Sequence, residues 1–124
     1  MEKMSVVLGI PTAESAVRLP RFQTKSGERQ IDPRRIVYLS AQANYTLFHL
    51  DNGEQVMTTH SLSIYAPLLE ALGFIRVHKS YLLNSFYLNR CRLNRSTELI
   101  LPNGSMLEVA RRRRSTLRKM IKKQ

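Results

Sequence analysis

The segment 74–84 holds the most concentrated chemistry in the chain. Its polar members Arg76, His78, Lys79 and Ser80 lie within five consecutive positions. Arginine, lysine and serine side chains donate hydrogen bonds to phosphates, and the two cations also donate to base edges. A histidine in such a place either donates to a phosphate or fixes its loop through backbone hydrogen bonds. Both interpretations stay open for His78.

Apolar side chains are mixed with this polar group and can anchor a core. They are Phe74, Ile75, Val77, Tyr81 and Leu83. We expect Tyr81 to lie in the core and Asn84 to fix a loop by hydrogen bonds. The segment therefore predicts a polar loop that is held on a packed scaffold.

A run of four arginines, Arg111–Arg114, begins a second cationic cluster. Every charged residue from Arg111 to the end of the chain is basic. Apolar residues at helical spacing predict a terminal helix over 110–123, and cations at a helix start oppose the helix dipole. A sequence that accepts this cost is expected to bind a phosphate or a base edge there. Lys122 and Lys123 are interpreted as a solvated tail.

The overall charge predicts a polyanionic partner. The chain has 124 residues, enough for one domain, with 20 Lys and Arg against 9 Asp and Glu and a formal net charge of +11. Nucleic acid is the commonest partner of so basic a domain. The alternative is a module that binds RNA or a membrane surface. An RNA-binding module is expected to present exposed stacking aromatics beside its basic residues. A membrane-binding module is expected to have an amphipathic helix with bulky apolar anchors.

Enzyme chemistry finds little support. The histidines His49, His60 and His78 lie in different segments without metal-ligand spacing, so we expect no catalytic residue, no metal and no cofactor. Arg90 and Arg92 could lower the pKa of the single cysteine, Cys91, but an incidental thiol is the favoured interpretation. A lone cysteine fits a reducing compartment, and there is no signal peptide or membrane-length apolar run. We therefore expect a cytoplasmic protein.

The predicted elements are mostly strands. Residues 1–14 are interpreted as a flexible tail and 15–124 as one domain. Strands are expected over 16–22, at a sheet edge because of Pro20, and over 36–39, 45–50, 55–59, 98–101 and 106–109. Asp32 is expected to cap a single helical turn, and one internal helix is expected over 61–72. Because strands do not alternate with helices, a doubly wound parallel sheet is not expected.

Three segments resemble one known family. Phe74–Asn84 matches the pattern Phe-x-Arg-x-His-Lys/Arg-Ser-Tyr/Phe-x-x-Asn of the LytTR DNA-binding domain of bacterial response regulators. Ile36–Ala41 followed by Asn44-Tyr45 resembles an earlier segment of that family, and Asn103-Gly104 resembles its late hairpin. The matches occur in the family's order, and the resemblance covers roughly 16–122.

The resemblance implies a mainly β, elongated fold of small antiparallel sheets, with one internal helix and a C-terminal helix. It also implies loops that read successive major grooves of duplex DNA and bend it. The implied reading positions are Gln42–Asn44, Lys79, and Arg111 or Arg112. Side-chain chemistry then assigns base contacts to Asn44, Lys79, Arg111 and Arg112. It assigns phosphate contacts to Arg76, His78, Ser80, Arg113 and Arg114.

The chain departs from the family in two respects. The family's usual serine before the arginine of the late segment is Ala110 here, so a hydroxyl that could cap the last helix is missing. No receiver-like βα repeats precede residue 16, so we expect a solitary transcription regulator or a fragment, and the initial Met1-Glu2-Lys3 favours the former. The family's use of paired direct repeats implies two copies on each DNA site, with a weak homodimer as an option.

Overall fold

The computed structural model describes residues 19–95 and 97–122, and two antiparallel sheets make up most of it. The predicted tail 1–14 and the first part of the strand predicted over 16–22 lie outside the described residues. The strands are β1 Arg21–Thr24, β2 Gly27–Gln30, β3 Ile36–Gln42, β4 Tyr45–Leu50, β5 Gln55–Thr58, β6 Phe74–His78, β7 Tyr81–Asn84, β8 Arg92–Asn94, β9 Glu98–Ile100 and β10 Met106–Glu108. The helices are α1 Leu62–Ala71 and α2 Arg114–Lys122, with short 3-10 turns at Pro33–Arg35, Ser85–Arg90 and Arg111–Arg113.

The larger sheet has seven strands in the order β2-β1-β5-β4-β3-β7-β6, and the smaller has three in the order β10-β9-β8. Every pairing is antiparallel, as short hairpin connections require. The mainly β fold with one internal helix and one C-terminal helix is therefore confirmed.

The strands β3 and β7 of the larger sheet contribute buried side chains to both of its faces, because successive side chains of a strand point to opposite sides. In β3, Leu39 packs into one apolar cluster with α1, whereas Tyr38 packs into the other. In β7, Leu82 and Leu83 divide in the same way. The second cluster also includes Leu117 of α2 and the inner residues of the smaller sheet. The molecule thus has three layers, with the larger sheet in the middle.

The bounds and the edge position predicted for the first strand were both wrong. The strand β1 begins after Pro20, and it lies between β2 and β5, so it is not an edge strand. The edge strand is β2, which the sequence did not reveal because Gly27–Gln30 is polar and mostly exposed. Since β2 pairs with β1 through backbone groups along four positions, it needs no apolar alternation.

The predicted capping and turn chemistry is confirmed. Asp32 Oδ1 accepts a hydrogen bond of 3.0 Å from the Arg34 N–H at the start of the first 3-10 turn. Asn84 is buried, and its Nδ2 donates to the Ile36 carbonyl at 3.0 Å while its Oδ1 accepts from the Phe86 N–H at 3.1 Å. Asn84 therefore fixes the loop after β7 onto the start of β3.

Candidate nucleic-acid interface

Two hairpin turns, Ala43–Asn44 and Lys79–Ser80, lie at the same end of the larger sheet. The register places them there, because Gln42 pairs with Tyr45 and Ser40 pairs with Tyr81. The Ala41 N–H donates to the Ser80 carbonyl at 2.9 Å, which brings the two turns side by side. Two of the implied reading positions, Asn44 and Lys79, are exposed at this end.

The backbone of the Lys79–Ser80 turn is held by two side chains of β6. Nδ1 of His78 accepts a hydrogen bond from the Ser80 N–H at 3.1 Å. Arg76 donates from Nε to the His78 carbonyl at 3.0 Å and from Nη2 to the Lys79 carbonyl at 2.6 Å. The structure thus fixes the turn and leaves the Lys79 side chain exposed. For His78 it favours the loop-fixing interpretation, since an acceptor Nδ1 carries no proton.

The other ring nitrogen of His78 faces the smaller sheet. Its Nε2 lies 3.6 Å from Oε1 of Glu108, and the His78 side chain is only 17% exposed. With Nδ1 accepting from Ser80, the ring proton is on Nε2 and points toward that carboxylate. His78 therefore links the reading turn to β10.

The four arginines, Arg111–Arg114, begin three residues after Glu108. The Ala110 N–H donates to the Val77 carbonyl at 2.7 Å and anchors the chain beside β6. Ala110 occupies the cap position of the 3-10 turn without a side-chain hydrogen bond, as its missing hydroxyl predicted. Arg111–Arg113 are exposed, whereas Arg114 is half-buried and its Nε donates to the Val109 carbonyl at 3.3 Å. The first three arginines are thus free to face solvent.

A groove of about 550 Å³ separates the Lys79 turn from the arginines. Its lining includes seven of the predicted contact residues: Arg76, His78, Lys79, Arg111, Arg112, Arg113 and Arg114. Ser80 follows Lys79 in the turn, and Asn44 lies in the neighbouring turn outside the groove. Glu108 also lines the groove and is the partner of His78. The structure therefore brings together residues that stand more than thirty positions apart in the sequence.

The turn that carries Asn44 has an unusual backbone. Ala43 has φ 55°, in the left-handed region that residues with a Cβ seldom adopt. Such strain concentrates at functional sites, where a side chain must be presented in one direction. The next residue, Tyr45, is 41% exposed although most aromatic residues of the chain pack in the core. This exposed ring was not predicted from the sequence.

Two carboxylates, Asp32 and Glu54, lie away from the turns that carry Asn44 and Lys79 and are paired with arginines. Asp32 contacts Arg34 at 2.7 Å, and Glu54 contacts Arg29 at 2.6 Å. The arginine hydrogen bond lowers the pKa of each carboxyl group below its usual value. These two carboxylates therefore offset positive charge away from the Asn44 and Lys79 turns.

Cys91 is a packed residue. It is buried, its Sγ donates to the Tyr87 carbonyl at 3.3 Å, and burial raises the pKa of the thiol to about 11. Its neighbouring arginines do not activate it. Within residues 19–95 and 97–122, no three potential metal ligands converge. No helix in this part of the chain is long and apolar enough to cross a membrane.

Fold and site together define a small, basic DNA-binding domain. The chain belongs to the LytTr DNA-binding domain family, whose model matches residues 27–122. The predicted family is thus confirmed. Membership of this family indicates DNA binding in transcription regulation.

The fold is shared with a solved structure described as the LytTr DNA-binding domain of a methyl-accepting/DNA response regulator from Bacillus cereus. The two chains are 21% identical, with a TM-score of 0.64 over 83% of this chain and 95% of the other. At that identity the likeness shows the fold alone. No curated protein gives a significant match to the chain.

Proposed function

We propose that the protein is a sequence-specific transcription regulator that reads duplex DNA with the turn end of its larger sheet. The observation that carries this proposal is the fixed Lys79–Ser80 turn beside the exposed arginines Arg111–Arg113. A preorganised backbone lowers the entropy cost of placing a side chain in a groove. The proposal assigns the protein to the bacterial cytoplasm, where such DNA lies.

The proposed base contacts are Asn44, Lys79, Arg111 and Arg112. Lysine and arginine donate to guanine O6 and N7, and asparagine pairs with adenine N6 and N7 in the major groove. All four side chains are exposed, and they lie on turns and on a 3-10 segment, so loops and not a recognition helix would enter the groove. Asn44 and Lys79 lie on neighbouring turns of the larger sheet, and Arg111 and Arg112 line the same groove as Lys79.

The proposed phosphate contacts divide into two groups. Arg113 is exposed and Ser80 is half-buried on the turn, so both can meet a phosphate directly. Arg76 and Arg114 already donate to backbone carbonyls, and their phosphate contacts would use the donors that remain. The one donor of His78 is the Nε2–H that points toward Glu108, so a phosphate contact of His78 would replace the one with Glu108. Arg76 has five N–H donors, of which two are engaged.

Two copies on paired direct repeats are part of the proposal, with a weak homodimer as an option. Gel-shift titration on one half-site and on two half-sites measures this. A second copy that binds at the same concentration irrespective of half-site spacing would show independent binding and no homodimer contact.

Competition separates duplex DNA from the other polyanions. The protein is bound to its best duplex, selected from random DNA, and challenged with duplex RNA, with anionic phospholipid vesicles and with unlabelled selected duplex. The proposal predicts that only the selected duplex displaces the probe at low concentration. Equal displacement by RNA or by vesicles would favour a general polyanion-binding module.

A further inference from the structure

We infer that the β1–β2 hairpin supplies an additional phosphate contact, made by Lys25, on the flank of the duplex that Asn44 reads. This inference rests on the proposed function and deepens it. Lys25 lies outside the residues 27–122 that match the family model, so family membership assigns it no role. The sequence motifs did not mark it either.

The hairpin is attached to the larger sheet mainly at its turn end. Between β1 and β5 the register has one pair, Thr24 with Thr58. The Thr59 N–H then donates to the Gln23 carbonyl at 2.9 Å, just beyond that pair. Thr24 is therefore level with Thr46 in β4, one residue after Tyr45. Because β1 runs antiparallel to β5, the Lys25–Ser26 turn folds back beside the first residues of β5.

The turn itself is held by the buried Thr24. Its Oγ1 donates to the Gly27 carbonyl at 2.7 Å and accepts from the Ser26 N–H at 3.1 Å. Gly27 has φ 109°, which only glycine adopts without strain. Because these bonds fix the backbone on both sides of Lys25, less conformational freedom is lost when its side chain binds.

The Lys25 side chain points toward the reading surface. Its Nζ lies 5.4 Å from the centroid of the exposed Tyr45 ring, and Tyr45 directly follows Asn44. The ring attracts the ammonium group without neutralising it, so its charge stays available to an anion. The nearest acid along the hairpin, Glu28, is 3.8 Å from Arg21. The ammonium group of Lys25 therefore lies near the turn that carries Asn44, where it could meet a phosphate that flanks the base read by Asn44.

A matched pair of variants tests the inference. Lys25→Gln removes the cation over Tyr45. Arg90→Gln removes a cation that likewise lies over aromatic rings, 5.8 Å from those of Phe86 and Tyr87, but beyond the far end of β7. Both positions are exposed, so neither change should affect folding, which circular dichroism checks.

Affinity for the selected duplex is measured between 50 and 200 mM salt. Each phosphate contact contributes about 0.9 to the slope of log affinity against log salt concentration. The ratio of the wild-type affinity to the Lys25→Gln affinity should therefore fall about 3- to 4-fold across that range. The sequence selected from random DNA should not change. Arg90→Gln should keep the wild-type slope. If Lys25→Gln also keeps that slope, the inference is overturned.

Shortened duplexes locate the contact. When base pairs are removed stepwise from one end, the difference between wild type and Lys25→Gln should vanish while the Lys79→Ala defect persists. A difference that survives shortening from both ends would mean that Lys25 acts only through long-range charge, against the inference. If the wild type shows no preference for the selected duplex, it is the proposed function that fails.

Discussion

The Ser80 N–H donates to Nδ1 of His78 at 3.1 Å, two residues back across the turn that presents Lys79. This bond closes the turn from inside the protein and gives His78 a structural task. It also explains why a histidine suits this position, since the ring supplies an acceptor to the turn on one side and a donor toward Glu108 on the other.

Replacing His78 should separate these two roles. Asparagine places an acceptor oxygen near the position of Nδ1, so His78→Asn should retain DNA affinity within about 3-fold. His78→Ala leaves the Ser80 N–H without its partner and should cost about 1 kcal/mol in stability together with weaker specific binding. Thermal unfolding and DNA titration measure both effects. Equal losses in the two variants would show that the Nδ1 bond is not what matters.

Asn84 should be among the most sensitive polar positions. It is buried, and Asn84→Ala would leave the Ile36 carbonyl and the Phe86 N–H without their bonds. We expect a loss of about 1–3 kcal/mol in the free energy of unfolding, measured by urea titration. Asn89→Ala, an exposed change in the same 3-10 turn, is the control. If the two variants unfold at the same urea concentration, Asn84 does not hold the loop.

Arg112→Ala should weaken specific binding by about 1–3 kcal/mol and relax sequence preference at one or two positions. The reason is that Arg112 is exposed beside the groove and is proposed to meet a base edge. Removal of Lys122 and Lys123 is the contrasting change, which should weaken binding to all DNA alike and flatten the salt dependence. Selection from random duplex DNA compares the two. If Arg112→Ala selects the same sequence as the wild type, Arg112 contacts a phosphate and not a base.

Cys91 should react slowly with thiol reagents in the folded protein. Because burial raises its pKa to about 11, the thiol is protonated at neutral pH and a thiolate is scarce. Alkylation at pH 7.5 should therefore be far slower than in 6 M urea, and DNA binding should tolerate mild oxidants. Alkylation as fast as that of an unfolded control peptide would contradict the packed position.

The sequence predicted those parts of the fold that have apolar periodicity or explicit turn chemistry. The β-branched and aromatic run of β3, the Asn-Gly turns and the spacing in α1 all correspond to elements of the structure. Four strands were not predicted. The pairing of β2 and β8 depends on backbone hydrogen bonds, and their side chains carry no buried stripe. In β6 and β7 apolar and polar residues are mixed, and their segment was interpreted as a polar loop on a packed scaffold. Such strands become visible only when the partner strand is known.

The candidate site was predicted in composition and not in arrangement. The sequence identified Lys79 and Arg111–Arg114 by charge and by resemblance. It could not show that Arg76 turns its guanidinium onto the carbonyls of its own hairpin, because this depends on the conformation of a two-residue turn. It also gave no sign of Lys25, whose place beside Tyr45 results from the pairing of β1 with β5. The assigned contacts with DNA stay predictions.

The central claim is that Lys79, on its fixed turn, reads a base. The most direct measurement is selection of bound sequences from random duplex DNA with wild type, Lys79→Ala and the control Arg92→Ala, whose exposed arginine lies at the other end of the smaller sheet from Glu108. Lys79→Ala should bind the selected site about 1–3 kcal/mol more weakly and lose preference at one position, while Arg92→Ala keeps the wild-type preference. A Lys79→Ala protein that selects the same sequence as the wild type would contradict the claim.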